Sequence, residues 1–330
     1  MSATETYEAA TGPSGASSSA ARGPGPGLFG SARREVVDAL GDPGTRVVVL
    51  GVPYDVGSTG RPGSRFGPHY LRTASQGLFR AAGLPGAPGM YDPVRDRQVL
   101  AGVGIADLGD LSADVHTRNG DTLTALEQLT AAATRTGKVP VVLGGDHSVT
   151  LPAVRGVMAG GERVGIIHFD AHLDYGRPRR DDWRGECHHG NFMDWLVGDD
   201  RVERVVQIGV RQLIAKAPSP SEKITRWPGT TAAGALAEVL AGLPEDLAYY
   251  VTIDVDFLDP KDMPSTGTPL PGGLTLAQSV PLLEGLCSQR RIIGMDMVEF
   301  LPDKDPFSAA VAAELLLRAL DASVTPLPQG

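Results

Sequence analysis

Three short clusters of carboxylate and imidazole side chains carry most of the chemistry this 330-residue chain could perform. They read Gly144-Gly145-Asp146-His147-Ser148, then Asp170-Ala171-His172-Leu173-Asp174, then Asp254-Val255-Asp256. Carboxylates crowded together away from water repel one another and take up protons unless cations neutralise them. Asp170, Asp174, Asp254 and Asp256 bring four negative charges, which two divalent ions balance, and His147 and His172 add imidazole donors. An oxygen-rich set with two imidazoles suits manganese better than zinc, which favours Cys and His in tetrahedral sites. Two such ions about 3.5–4 Å apart acidify water held between them and supply hydroxide near neutral pH. The expected cofactor is therefore two Mn2+ per chain, and the expected chemistry is hydrolysis of a poor electrophile. A guanidinium is one, and its positive charge offsets the negative charge that hydroxide leaves on the site. Each piece alone has a plainer explanation, since an Asp after a strand often caps a helix and a lone His is often structural. The joint occurrence carries the reading.

These clusters need a scaffold that brings them together. Apolar or β-branched runs over 46–51, 139–144, 164–170, 205–210, 248–254 and 291–296 predict buried strands. Helical spacing recurs over 117–134, where Leu123, Leu126 and Leu129 repeat every three residues, and over 308–320. Strands alternating with helices predict an α/β fold of three layers, a central parallel sheet flanked by helices. Ligands of open parallel sheets bind beyond the carboxyl ends of the strands, so the three clusters are expected to share one crevice. Residues 1–27, rich in Ala, Gly, Ser, Thr and Pro, predict a disordered tail, and 28–330 a single catalytic domain. The polar, Pro-containing stretch 216–231 predicts a loop.

Composition narrows the partners. A formal charge of -9 argues against a nucleic-acid partner, which calls for clustered Lys and Arg, and suits a small cationic substrate. Cys187 and Cys287 lie far apart without CxxC spacing, so neither a disulfide framework nor a zinc knuckle is expected, and the cytoplasm is the expected compartment. No run approaches the ~20 apolar residues that cross a bilayer, so no membrane partner is expected. Gly102-Val103-Gly104 lacks the rest of a dinucleotide fingerprint.

In order and separation the three clusters resemble the signature motifs of the ureohydrolase family, which includes arginases and agmatinases. The resemblance extends over Gly51-Val52-Pro53-Tyr54-Asp55, the stretch from Arg61 to Pro68, Gly267-Thr268-Pro269 and Gly294-Met295-Asp296-Met297-Val298-Glu299, and covers about 46 to 320. It implies the arginase-like form of the α/β fold. By motif position it implies that His147, Asp170, Asp174 and Asp254 hold one manganese and that Asp170, His172, Asp254 and Asp256 hold the other. It further implies that Asp174 hydrogen-bonds the attacking hydroxide, Glu299 grips the guanidinium, His189 shuttles protons near the leaving amine and Thr268 lines the substrate. The choice of His189 over His188 rests on the family's His-Gly pattern. His69, His116 and His168 are expected to be structural or surface residues. The resemblance also implies a homo-oligomer, a trimer or a hexamer.

Within that family, arginases carry an Asn two residues after the last Asp of the second cluster and a Ser-Gly-Asn run before the His-Gly. Here those positions hold Gly176 and Gly185-Glu186-Cys187. Arginine is therefore disfavoured, and the motifs resemble agmatinases, guanidinobutyrases and proclavaminate amidinohydrolase more closely. The expected function is release of urea from agmatine, guanidinobutyrate or a secondary-metabolite guanidine, with formimidoylglutamase or arginase as the alternatives. Residues 177–184 form a charged insertion, read as a solvated loop or as a lid.

Overall fold

A computed structural model describes residues 27–78, 90–112, 120–176, 182–303 and 305–324. Eleven strands follow one another as β1 (Ala32–Arg33), β2 (Val47–Gly51), β3 (Met90–Asp92), β4 (Arg97–Val99), β5 (Ile105–Asp110), β6 (Val139–Leu143), β7 (Val164–Phe169), β8 (Val202–Ile208), β9 (Ile224–Trp227), β10 (Ala248–Asp254) and β11 (Arg291–Val298). Nine of them form one sheet in the order β1-β5-β2-β6-β11-β10-β7-β8-β9, with every neighbouring pair parallel. β3 and β4 pair separately as an antiparallel ribbon.

Side chains alternate between the faces of a strand, and here both faces are dry. Val47 and Val49 enter one core with Val141, Ile167, Val251 and the C-terminal helix Pro306–Val324. Val48 and Leu50 enter the other with Val142, Ile166 and the helices Asp121–Arg135 and Thr150–Val157. This is the expected three-layer arrangement, and its two-sided burial explains why the strands read as continuous apolar runs. Burying each Val or Leu contributes roughly 1.5–3 kcal/mol, so the strand ends are held firmly.

All six expected strands are present. Three sheet strands lay outside the expectation. β5 is interrupted by Asp107 and Gly109, and its polar residue is buried and paired, accepting from the Leu28 N–H and the Arg72 guanidinium. β1 is only two residues long. β9 falls inside 216–231, which corrects the loop expected there; at the sheet edge its four residues are all half-buried, so no apolar run marks it. The helix expected over 117–134 spans Asp121–Arg135, and residues 117–119 lie outside the described residues. Of the expected tail only Gly27 is described, and it is buried, its N–H donating to the Ser31 carbonyl. Among the described residues no helix is long and apolar enough to cross a membrane.

β6, β11, β10 and β7 are consecutive in the sheet. Their carboxyl ends lead into Gly144 to His147, Glu299, Asp254 and Asp170 respectively. The topology thus places the three clusters and Glu299 along one edge.

Candidate active centre

The turn after β6 needs its glycines. A Cβ on Gly145 would lie 1.6 Å from the Tyr54 carbonyl oxygen, and one on Gly144 would lie 2.6 Å from the Val298 side chain. The backbone then enters the short turn His147–Val149, capped by Asp146, whose carboxylate accepts from the Ser148 N–H. Asp254 caps the turn Val255–Phe257 in the same way, its Oδ1 accepting from the Asp256 N–H at 2.9 Å. The cap reading of an Asp after a strand therefore holds for Asp254, but it occupies only one of the two carboxylate oxygens.

The other oxygen, Oδ2, lies 3.2 Å from His147 Nδ1. Asp170 Oδ2 and Asp174 Oδ2 stand 3.1 and 3.3 Å from the same nitrogen. His147 Nδ1 is buried without a hydrogen-bond partner among the described residues, while Nε2 meets the Thr252 hydroxyl at 2.8 Å. With the proton on Nε2, the Nδ1 lone pair faces three carboxylate oxygens, an arrangement that requires a cation among them. A second group gathers at the other oxygen of Asp170, where His172 Nδ1 lies 3.3 Å from Asp170 Oδ1 and 3.0 Å from Asp256 Oδ2. Asp170 thus spans both groups. The donor set fits divalent metal ions, and these side chains could hold them.

Electrostatics tells the same story. Burial, together with the neighbouring Asp256 and Asp170 charges, holds the Asp254 carboxyl well above its ordinary pKa. Burial and Asp170 also raise Asp174. Burial alone lowers the His147 imidazole, but the surrounding Asp170, Asp174 and Asp254 outweigh it and hold it well above 6.5. Asp170 goes the other way: burial raises it, but His168, His147 and His172 outweigh burial and hold it well below the ordinary carboxylate range.

His168 was expected to be structural or at the surface. It is fully buried beside the first group, its Nε2 at 2.8 Å from Asp170 Oδ2 and its Nδ1 at 3.0 Å from the Gln207 amide nitrogen. The Gln207 amide donates to Nδ1, so the imidazole proton sits on Nε2 and donates to Asp170. Both nitrogens are used, and His168 orients the carboxylate. The signal was its position two residues before Asp170 on an all-buried strand, which puts both side chains on one face. His69 is exposed, and His116 lies outside the described residues.

Glu299 and Asp174 both hold left-handed backbone, with φ of 58° and 49°. Such conformations are strained in non-glycine residues and concentrate at functional sites. Glu299 Oε1 accepts from the His147 backbone N–H at 2.9 Å and lies 3.0 Å from His189 Nδ1. Of the adjacent histidines, His189 pairs with Glu299, whereas His188 Nδ1 accepts from the Gly190 N–H. Thr268 lines the same cavity as His189, Asp174 and Asp254, and its hydroxyl donates to Asp256 Oδ2 at 3.1 Å. Thr59 was not anticipated. Its N–H donates to His189 Nε2 at 2.9 Å and its hydroxyl lies 2.6 Å away.

The profile of the arginase family matches residues 45–321. The chain belongs to the arginase family. The match coincides with the span over which its motifs resemble ureohydrolases. The chain is 35% identical over 280 residues to the agmatinase of Blochmanniella floridana, an alignment covering 83% of this chain and 86% of that one. Its fold is similar to that of a hypothetical agmatinase from Burkholderia thailandensis, with a TM-score of 0.71 and 29% identity over 84% of this chain and 85% of that one. Proclavaminate amidinohydrolase from Streptomyces clavuligerus is also similar, with a TM-score of 0.75 and 25% identity over 91% of this chain and 97% of that chain. This arginase-family chain is an agmatinase-like hydrolase acting on linear amidines.

Proposed function

We propose that the protein is a dinuclear manganese amidinohydrolase that converts a guanidino compound other than arginine to an amine and urea. The observation that carries this reading is the convergence of three carboxylate oxygens on His147 Nδ1 within 3.3 Å, two of them from Asp174 and Asp254, which line one cavity with His189, the partner of Glu299. His147, Asp170, Asp174 and Asp254 would hold one ion, and Asp170, His172, Asp254 and Asp256 the other. When bound, the two ions supply hydroxide near neutral pH.

The chain's own residues do the rest. Asp174 orients the attacking water. Glu299 presents a carboxylate to the planar guanidinium, a match of charge and shape that a neutral amide does not reproduce. His189 holds a proton on Nδ1 against Glu299 and passes protons toward the leaving amine. Thr268 keeps Asp256 in place and lines the substrate. Residues 28–330 act as one catalytic unit, in the cytoplasm, as a homo-oligomer of three or six chains.

Exclusion of arginine is supported by Gly176, the position of the arginase Asn. Its φ is +105°, and a Cβ there would lie 2.7 Å from the Pro218 Cβ. Pro218 fills the space from which a side chain would reach an α-carboxylate. Urea release by the manganese-loaded protein from arginine, agmatine and 4-guanidinobutyrate tests the proposal, with N-formimidoylglutamate included. Urea from either of the middle two supports it. Formamide from the last compound alone would reassign the enzyme to the formimidoyl reaction.

A further inference from the structure

The cavity over the metal cluster has a volume of about 580 Å³, and its character changes with depth. Its floor is acidic and buried, with Asp174 and Asp254 8% and 3% exposed. Its mouth is formed by residues 212–216 and Pro218, where Leu213 is 98% and Ile214 43% exposed. This segment is tied to the metal site. The N–H groups of Arg211 and Gln212 both donate to the carbonyl of Ala171, at 2.9 and 3.1 Å, between two proposed ligands. The Arg211 guanidinium donates to the carbonyls of Asp256 and Leu270 at 2.8 and 2.7 Å. Pro218 closes the far end against Gly176.

Lys216 stands in this anchored segment, exposed at the mouth. It is the only lysine or arginine among the described residues that line the cavity, and no described carboxylate pairs with it. Among the described residues the mouth therefore offers two exposed apolar side chains and one uncommitted cation, above an acidic floor.

We propose that the substrate is an ω-guanidino carboxylic acid, with its methylene stem against Leu213 and Ile214 and its carboxylate at Lys216. This rests on the guanidino-hydrolase reading and narrows it. The four ligand carboxylates, two divalent ions, hydroxide and a guanidinium balance one another, so with the Glu299 carboxylate the floor carries no positive excess that would need a distal anion, and the distal charge is read at the mouth. A distal carboxylate then cancels Lys216, whereas the distal ammonium of agmatine places two positive charges together at the mouth. Like charges so juxtaposed exclude the wrong partner more effectively than they strengthen the right one. The agmatinases among the relatives point to a distal ammonium, and Lys216 points the other way.

The test is kcat/KM for 4-guanidinobutyrate and for agmatine, which have similar lengths and opposite distal charges, using the full-length manganese-loaded protein. The wild type is expected to favour guanidinobutyrate by about tenfold or more. Lys216→Glu should lower that ratio by about tenfold, Lys216→Gln by about threefold, and high salt should shrink it in the wild type. Because the ratio is taken within one preparation, lost folding or metal cancels from it. If urea is released but agmatine is equal or better, or the ratio is unmoved by either substitution, the inference is overturned and the hydrolase reading stands. If no guanidino compound yields urea, that reading fails and this inference with it.

Discussion

The backbone N–H of Thr59 points into Nε2 of His189 at 2.9 Å, across 130 residues of sequence. An N–H donor needs a lone pair to receive it, so the proton of the neutral imidazole sits on Nδ1, the nitrogen that faces Glu299. Thr59 thereby sets the tautomer of the residue assigned to proton transfer. Its N–H survives replacement of the side chain, so Thr59→Ala is expected to lower kcat only a few-fold, by loss of the hydroxyl contact. A loss as large as that of His189→Ala, measured under the same manganese loading, would show that the hydroxyl sets the tautomer instead.

Burial lowers the His189 pKa, and the Glu299 carboxylate outweighs it and raises the imidazole above its ordinary value. Glu299→Gln removes the strongest of the influences that raise it and leaves burial opposed only by the more distant Asp174 and Asp146 charges. The His189 titration, followed by NMR, is therefore expected to move to lower pH, together with any limb of the kcat/KM profile that it sets. The same variant should keep its metal and lose about a hundredfold in kcat/KM, since an amide does not pair with a guanidinium as a carboxylate does. Lost metal with normal kinetics on reloading would make Glu299 a structural support.

Metal uptake should release protons. In the metal-free protein burial and neighbouring carboxylates hold Asp254 well above and Asp174 above their ordinary values, and Asp170, Asp174 and Asp254 hold His147 well above its own against burial, so proton binding competes with the ions. Displacing those protons makes apparent affinity rise with pH. Calorimetry of Mn2+ binding near neutral pH, in buffers of different ionisation enthalpy, should show heats that depend on the buffer. Identical heats in all buffers would contradict the protonated metal-free site.

Arginine should be a poor substrate. Pro218 occupies the space beside Gly176, and although Lys216 can meet the α-carboxylate, it sets a like charge beside the α-ammonium, which is left unpaired at a cost on the order of 1–3 kcal/mol, about tenfold in rate. Gly176→Asn should not repair this, because both the +105° φ and the 2.7 Å approach oppose a side chain. The variant is expected to be less stable than the wild type, by thermal unfolding, without improved kcat/KM for arginine.

Much of this was legible in the sequence for a physical reason. The strands that carry the site are buried on both faces, so they appear as unbroken apolar runs, and each ends in a polar cluster that marks its carboxyl end. β5 and β9 were not legible because Asp107 is compensated by Leu28 and Arg72, distant in sequence, and because β9 is half-buried at an edge. In the site, the side chains with metal-ligand character were readable from type and spacing. Thr59 and His168 were not singled out, because their roles arise from single contacts, one across 130 residues and one within a strand. Gly176 was readable as a missing Asn, but its exclusion of any side chain depends on Pro218, which only the fold brings near.

The most direct test of the dinuclear hydrolase is a titration of the metal-free chain with Mn2+ while urea release from 4-guanidinobutyrate and agmatine is followed. Two ions balance the four clustered carboxylates, so no urea is expected without metal, and turnover should rise to a plateau at about two ions per chain. In Asp254→Ala, which lacks an oxygen 3.2 Å from His147 Nδ1, metal content and urea release should both collapse. Full urea release from the metal-free protein, or undiminished turnover in Asp254→Ala, would contradict the account.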